Sequence, residues 1–91
     1  MKQPHPFWKV GENYFVRTVT YHLTGRLDAI TDTELVLGDA AWIADSGRFT
    51  QAVANSDFSE VEPFPKGEPV LVNRAAITDA VRITTLPSEQ K

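Results

Sequence analysis

Residues 13–43 read NYFVRTVTYHLTGRLDAITDTELVLGDAAWI, and this stretch limits the chain's folds more than any other. It is dense in aromatic and β-branched residues and alternates only partly, with Phe15, Val19, Tyr21 and Leu23 on one parity. Tyr14, Val16, Thr18, Thr20 and His22 fall on the other, the pattern of strand rather than helix. Gly25 interrupts the run, and a glycine inside a strand pattern marks a bulge, a bend or a close backbone approach. The spacing therefore predicts one long strand curling at Gly25, or two strands joined there. Four polar residues, Thr31-Asp32-Thr33-Glu34, then form a short hairpin connection, and LVLGDAAWIA returns as a strand.

The rest of the chain is sparser. Residues 1–12 hold two prolines and no helical period, which predicts an extended arm anchored through Phe7 and Trp8 on the domain or on a neighbouring copy. Asp45-Ser46-Gly47 reads as a turn, and Phe49, Ala52 and Val53 at i, i+3, i+4 predict a short helix over 48–55. EVEPFPKGEP, residues 60–69, reads as an extended edge or loop. VLVN is a short strand, RAAI a tight turn and TDAVRITT a last strand, followed by the polar tail 86–91. The expected fold is all-β: a small, strongly bent, five-stranded antiparallel barrel of SH3 type over residues 13–85. Its one short helix lies in an insertion at 42–64.

Ninety-one residues make one domain with a modest core, so self-association would add burial. Without cysteine there is no disulfide framework, thiolate metal site or Cys nucleophile. No signal-peptide core or 18-residue apolar run is present, which predicts a cytoplasmic protein with no membrane partner. A net charge of −3 opposes broad adhesion to nucleic acid.

Two segments carry a resemblance. Gly25-x-Leu27, Ile30, the polar turn, Leu35-Val36-Leu37 and Asp39-Ala40 are similar to the first signature of the Sm-like (LSm and Hfq) family. VLVNRAAITDAV, residues 70–81, resembles its second signature. Across AAWIADSGRF and EVEPFP the chain also resembles a branch of that family from marine phage and environmental sequences. The resemblance implies a homo-oligomeric ring, formed as one strand edge of each subunit pairs with another edge of the next. It also implies single-stranded RNA as a partner at the pore, no cofactor and no enzymatic activity. Gly25 and Leu27 would shape the barrel corner and core, while Asn73, Arg74, Thr31, Asp32 and Thr33 would line the nucleic-acid site. The chain departs from the family where Thr33 stands in place of a base-stacking residue, and where Asn73-Arg74 or Arg74-Ala75 replaces the usual basic pair. An alternative is a structural or protein-interaction ring module that binds no RNA.

Each candidate has a plainer reading. Arg74 could pair with phosphate, or simply with Asp79 or Glu68. Asn73 could read a base edge or bond its own backbone. Asp32 and Glu34 lack the pocket that catalytic carboxylates need, and at a hairpin tip they serve solubility. His5 and His22 are the sole histidines, too few for a zinc site. Trp42, Phe49, Phe58 and Phe64 either pin the insertion to the barrel or bind a peptide.

Overall fold

The computed structural model describes residues 6–91. Its strands are β1 (Asn13–Thr18), β2 (His22–Ile30), β3 (Glu34–Asp45), β4 (Glu60–Pro63), β5 (Val70–Asn73) and β6 (Ile77–Ile83). One helix, α1 (Phe49–Asn55), lies between β3 and β4, and a 3-10 turn at Arg74–Ala76 joins β5 to β6. All pairings are antiparallel, in the order β4-β3-β2-β1-β6, with β5 added on β3. The described residues are thus all-β with a single short helix in the insertion. The long strand β3 takes β5 along its first half, Glu34–Leu37, and β4 along its second, Ala41–Asp45.

Two features differ from the sequence expectation. The run 13–30 breaks at Val19–Tyr21, not at Gly25, which sits within β2 opposite Tyr14. Thr18 makes the break: its N–H and hydroxyl both donate to the Tyr21 carbonyl at 2.8 Å, and the Tyr21 N–H donates back to the hydroxyl at 3.1 Å. The proline-rich stretch 60–69 supplies a sixth strand. Val61 lies opposite Ile43, and its N–H and C=O also exchange 2.9 Å bonds with Lys91.

Curvature comes from two bulges, one opposite Gly25 and one three residues further along β2. Between the pairs Thr24–Ala41 and Arg26–Gly38, β3 sets Asp39 and Ala40 against the single residue Gly25. Between Leu27–Leu37 and Ala29–Val36, β2 in turn carries the extra residue Asp28. Extra residues of this kind bend and twist a strand. Asp39 adopts the left-handed conformation, φ 47°. Arg26 ties the bulges together, its Nε donating to Asp28 Oδ1 at 2.7 Å and its Nη1 to Asp39 Oδ2 at 2.6 Å. Those bonds, Asp28 first, raise the Arg26 pKa above its already high ordinary value. Gly25 is needed for close approach, since a Cβ there would lie 2.8 Å from the Leu37 Cβ, an atom fixed to the backbone.

Both sheet faces are covered. Tyr14, Val16, Leu23, Leu27, Leu35, Leu37, Ala40 and Val72 form an inner core where the sheet bends over itself. Phe15, Ala41, Ile43, Ala52, Phe58, Val61 and Ile83 form an outer core beneath α1. Consecutive strand residues point to opposite faces, so burial of Tyr14, Phe15 and Val16 alike requires cover on both sides. The turn at 19–21 also puts Phe15 and Leu23 on different faces, because Val16 pairs with Leu23 and Phe15 with Thr24.

In the described part of the arm, which turns at residues 6–7 and 10–11, two aromatic side chains lie on the domain itself. Phe7 and Trp8 pack on Tyr14 with ring centroids 5.3 and 5.0 Å away. The Tyr14 hydroxyl donates to the Phe7 carbonyl at 2.7 Å and accepts from the Lys9 N–H at 2.8 Å. His5 lies outside the described residues.

Candidate functional site: paired turns beside open strand edges

The hairpin turn between β2 and β3 is built around Thr31. Its hydroxyl accepts from the N–H groups of Thr33 at 3.2 Å and Glu34 at 3.0 Å, which stabilises a tight polar turn. Further along the chain, Asn73 caps the 3-10 turn by accepting from the Ala75 N–H at 2.9 Å. Strand pairing sets Asn73 opposite Glu34, so the two turns meet. Arg74 joins them. Its N–H donates to the Thr33 carbonyl at 2.9 Å, and its Nη1 donates to the Thr31 carbonyl at 2.6 Å.

Thr31, Thr33, Asn73 and Arg74 therefore share one rim, and Asp32 is exposed at the tip of the same hairpin. Arg74 is bonded to neither of the carboxylates suggested from sequence. Asp79 belongs to Arg17, whose Nε donates to Asp79 Oδ1 at 2.7 Å and whose Nη2 reaches the other oxygen. The Asn73 amide oxygen is occupied by its own turn. What the rim offers a ligand is the rest of one guanidinium, set among the exposed acids Asp32 and Glu34. Gly25 and Leu27 lie away from it, the first against Leu37 and the second fully buried in the inner core.

The Arg17–Asp79 pair spans β1 and β6. The guanidinium holds the Asp79 carboxyl below its usual range, chiefly by hydrogen bonding and secondarily by charge. With the folded value depressed, the stabilisation is complete above the unfolded carboxylate pKa of about 3.9 and is lost as pH falls through the folded value. Both side chains are partly exposed, so the pair is worth at most about 1 kcal/mol. Asp79→Asn should therefore lower stability by less than about 1 kcal/mol at neutral pH, and by less at pH 2 than at pH 7, because the pair is lost as pH falls below about 3.9. Urea melts of both proteins at the two pH values check this.

Three strand edges differ in whether they are covered. Among the described residues, β5 pairs only with β3 and β6 only with β1, so each keeps one unpartnered edge. The two are neighbours in sequence across the 3-10 turn but do not pair with each other, and the strand path stays open there. The β4 edge, by contrast, is covered. Besides the Lys91–Val61 bonds, Lys91 Nζ sits 3.0 Å from Asp57 Oδ1, and Gln90 Nε2 donates to Glu62 Oε1 at 3.2 Å.

The insertion divides its aromatics. Phe58 is buried against Phe15, and Phe49 lies half-exposed beneath the Arg17 guanidinium, 4.6 Å from ring centre to Cζ. Trp42 and Phe64 do not pin the insertion; they face outward near Tyr21 and Leu71 around a hollow of about 340 Å³. Sequence reasoning missed this grouping. The available signal was period two along β3, which sends Trp42 to the face opposite Ala41 and Ile43.

Among the described residues no group of three or more His, Cys, Asp and Glu side chains is placed to hold a metal ion. His22 instead packs edge-on to Phe15, with ring centroids 5.7 Å apart. No described helix is long and apolar enough to cross a membrane. Compared with known proteins, the chain matches no family model, no curated protein and no solved structure.

Proposed function

We propose that this chain is a non-enzymatic, Sm-like assembly module that joins copies of itself into a ring. The observation that carries the reading is the pair of unpartnered edges on β5 and β6, combined with a covered edge on β4. An unpaired strand edge presents a row of N–H and C=O groups that another strand can satisfy. Pairing two different edges is a heterologous contact, and repeated copies then close into a ring when the rotation permits. Leu71, 61% exposed at the middle of β5, would be buried by such pairing.

Leu71→Lys tests it. A charge on a short edge strand opposes strand addition without touching either core. Light scattering should show the multimer of the unmodified chain replaced by single subunits, with the same circular dichroism spectrum. A multimer that survives the substitution contradicts pairing at β5.

A second reading adds single-stranded RNA at the rim, and the convergence of Arg74 with the Thr31–Thr33 turn favours it. Arg74 keeps donors that its bond to Thr31 does not use, and guanidinium donors suit phosphate. The acids beside it and the absence of a flat side chain in the turn make the contact weak. Arg74→Ala should reduce oligo-U binding and lower the slope of log affinity against log salt by about one, with the multimer intact. Equal binding by both proteins in a fluorescence titration removes Arg74 from the site, and no binding by either at low salt removes RNA from the reading.

A further inference from the structure

Residues 87–91 lie across the outer edge of β4, and a single residue makes the backbone pairing. The N–H and C=O of Val61 exchange 2.9 Å bonds with the C=O and N–H of Lys91, the full set for two opposed antiparallel residues. Along the same edge the Ser59 N–H is taken by the Asp45 carbonyl and Pro63 has no N–H, so Val61 supplies the donor. The segment also helps to close a hollow of about 240 Å³, which Pro87 and Ser88 line together with Pro63 and Phe64.

Little else holds the segment down. Leu86 packs on the outer core, and the Thr85 carbonyl accepts from the Ser56 hydroxyl, which fixes the chain as far as residue 86. Beyond that point, among the described residues, Ser88 and Glu89 make no hydrogen bond. The two side-chain contacts further on, Lys91 Nζ to Asp57 Oδ1 at 3.0 Å and Gln90 Nε2 to Glu62 Oε1 at 3.2 Å, are both exposed. Exposed contacts of this kind contribute little, and a segment with few buried bonds opens without unfolding the rest of its domain.

We propose that residues 87–91 are a detachable strap that keeps the β4 edge of one copy from pairing with the β4 edge of another. Two copies related by a twofold axis would set Val61 opposite Val61 and reproduce both bonds that Lys91 now makes. Lifting the strap would also uncover the apolar walls Pro63 and Phe64 beside that edge. The same register sets Glu60 of each copy opposite Glu62 of the other, both exposed, and like charges directly opposite destabilise a strand pair. Lys91 instead brings an ammonium to this acidic edge, beside Asp57, so the strap outcompetes a second copy at low salt. The edge in question is β4 alone, separate from the β5 and β6 edges of the proposed ring.

The test starts from the Leu71→Lys chain, so that β5 takes no part, and removes residues 87–91 from it. Sedimentation equilibrium should show the shortened chain forming dimers at concentrations where the unshortened one does not. Added salt should strengthen that dimer severalfold, because screening relieves the facing carboxylates. Glu60→Lys in the shortened chain sets opposite charges face to face, so it should tighten the dimer and reverse its response to salt. A second measurement, on the unshortened chain, covers the case in which the shortened one fails to fold. There Asp57→Asn should speed hydrogen exchange at the Val61 amide by up to about fivefold and leave the Leu27 amide unchanged. Equal masses with and without the strap overturn the proposal. So does a dimer indifferent to Glu60→Lys, which must be joined elsewhere. A Val61 amide that exchanges as slowly as that of Leu27 also overturns it, since the strap then opens only when the whole domain unfolds.

Discussion

Phe58→Ala is expected to remove about 3–5 kcal/mol of stability, the range for deleting a buried aromatic ring. Phe58 is 1% exposed, and its ring lies 5.1 Å from that of Phe15 across the outer core. Helix α1 cannot replace that contact. It has seven residues, no side-chain bond at its Arg48 N-cap, and one buried residue, Ala52. A helix this short is marginal without packing. The melting temperature should fall by more than about 12 °C, at some 4 °C or more per kcal/mol for a domain of this size. Proteolysis should cut first within 46–59, where α1 and its flanks come loose. A loss below about 1 kcal/mol would mean that the insertion contributes little to folding.

Leu27→Ala should cost about 2–5 kcal/mol and fail differently. Leu27 is fully buried in the inner core, pairs with Leu37, and directly precedes the bulge residue Asp28. Its removal opens a cavity where the sheet bends, with Leu35 and Leu37 close by in the same cluster. Cross-links from β2 to β3 through Arg26 remain, so strand pairing should outlast tight packing. The two substitutions lie on opposite sheet faces in separate clusters. Their effects should add within about 0.5 kcal/mol in denaturant titrations. Strong coupling would show that the two cores fold as one cluster.

The hairpin at 30–34, the tight turn at 74–76 and the short helix were legible because each has a local cause. Thr31 supplies its own turn bonds, Asn73 caps its own 3-10 turn, and Ala52 and Val53 fall at helical spacing after Phe49. The break at Val19–Tyr21 was hidden because Val19 and Tyr21 look like strand residues; the hydroxyl of Thr18 decides it. Alternation failed at Tyr14-Phe15-Val16 for a non-local reason, since the cover over Phe15 comes from residues 49–61. The strand at 60–63 depends on Ile43 and Lys91, both distant in sequence. The meeting of Arg74 with Thr31 followed from the resemblance rather than from spacing. The acceptor that Arg74 uses is a backbone carbonyl, which no side-chain pattern can reveal.

The bend itself was attributed to Gly25, and the structure gives it a more specific cause. Gly25 permits close contact with Leu37 and is the single residue opposite the Asp39–Ala40 bulge, while a second bulge at Asp28 and the arginine that bridges both complete the change of direction. Gly38 lies under that bridge, where a Cβ would collide with the Asp28 carboxylate and the Arg26 guanidinium. Charge and packing act together here to fold a sheet back over its own core.

Assembly through the β5 and β6 edges has its most direct test in the mass of the unmodified chain, measured by native mass spectrometry and by light scattering across a range of concentrations. The account predicts a single closed species at several times the subunit mass of 10.1 kDa. A species that remains at 10.1 kDa at every concentration would contradict it.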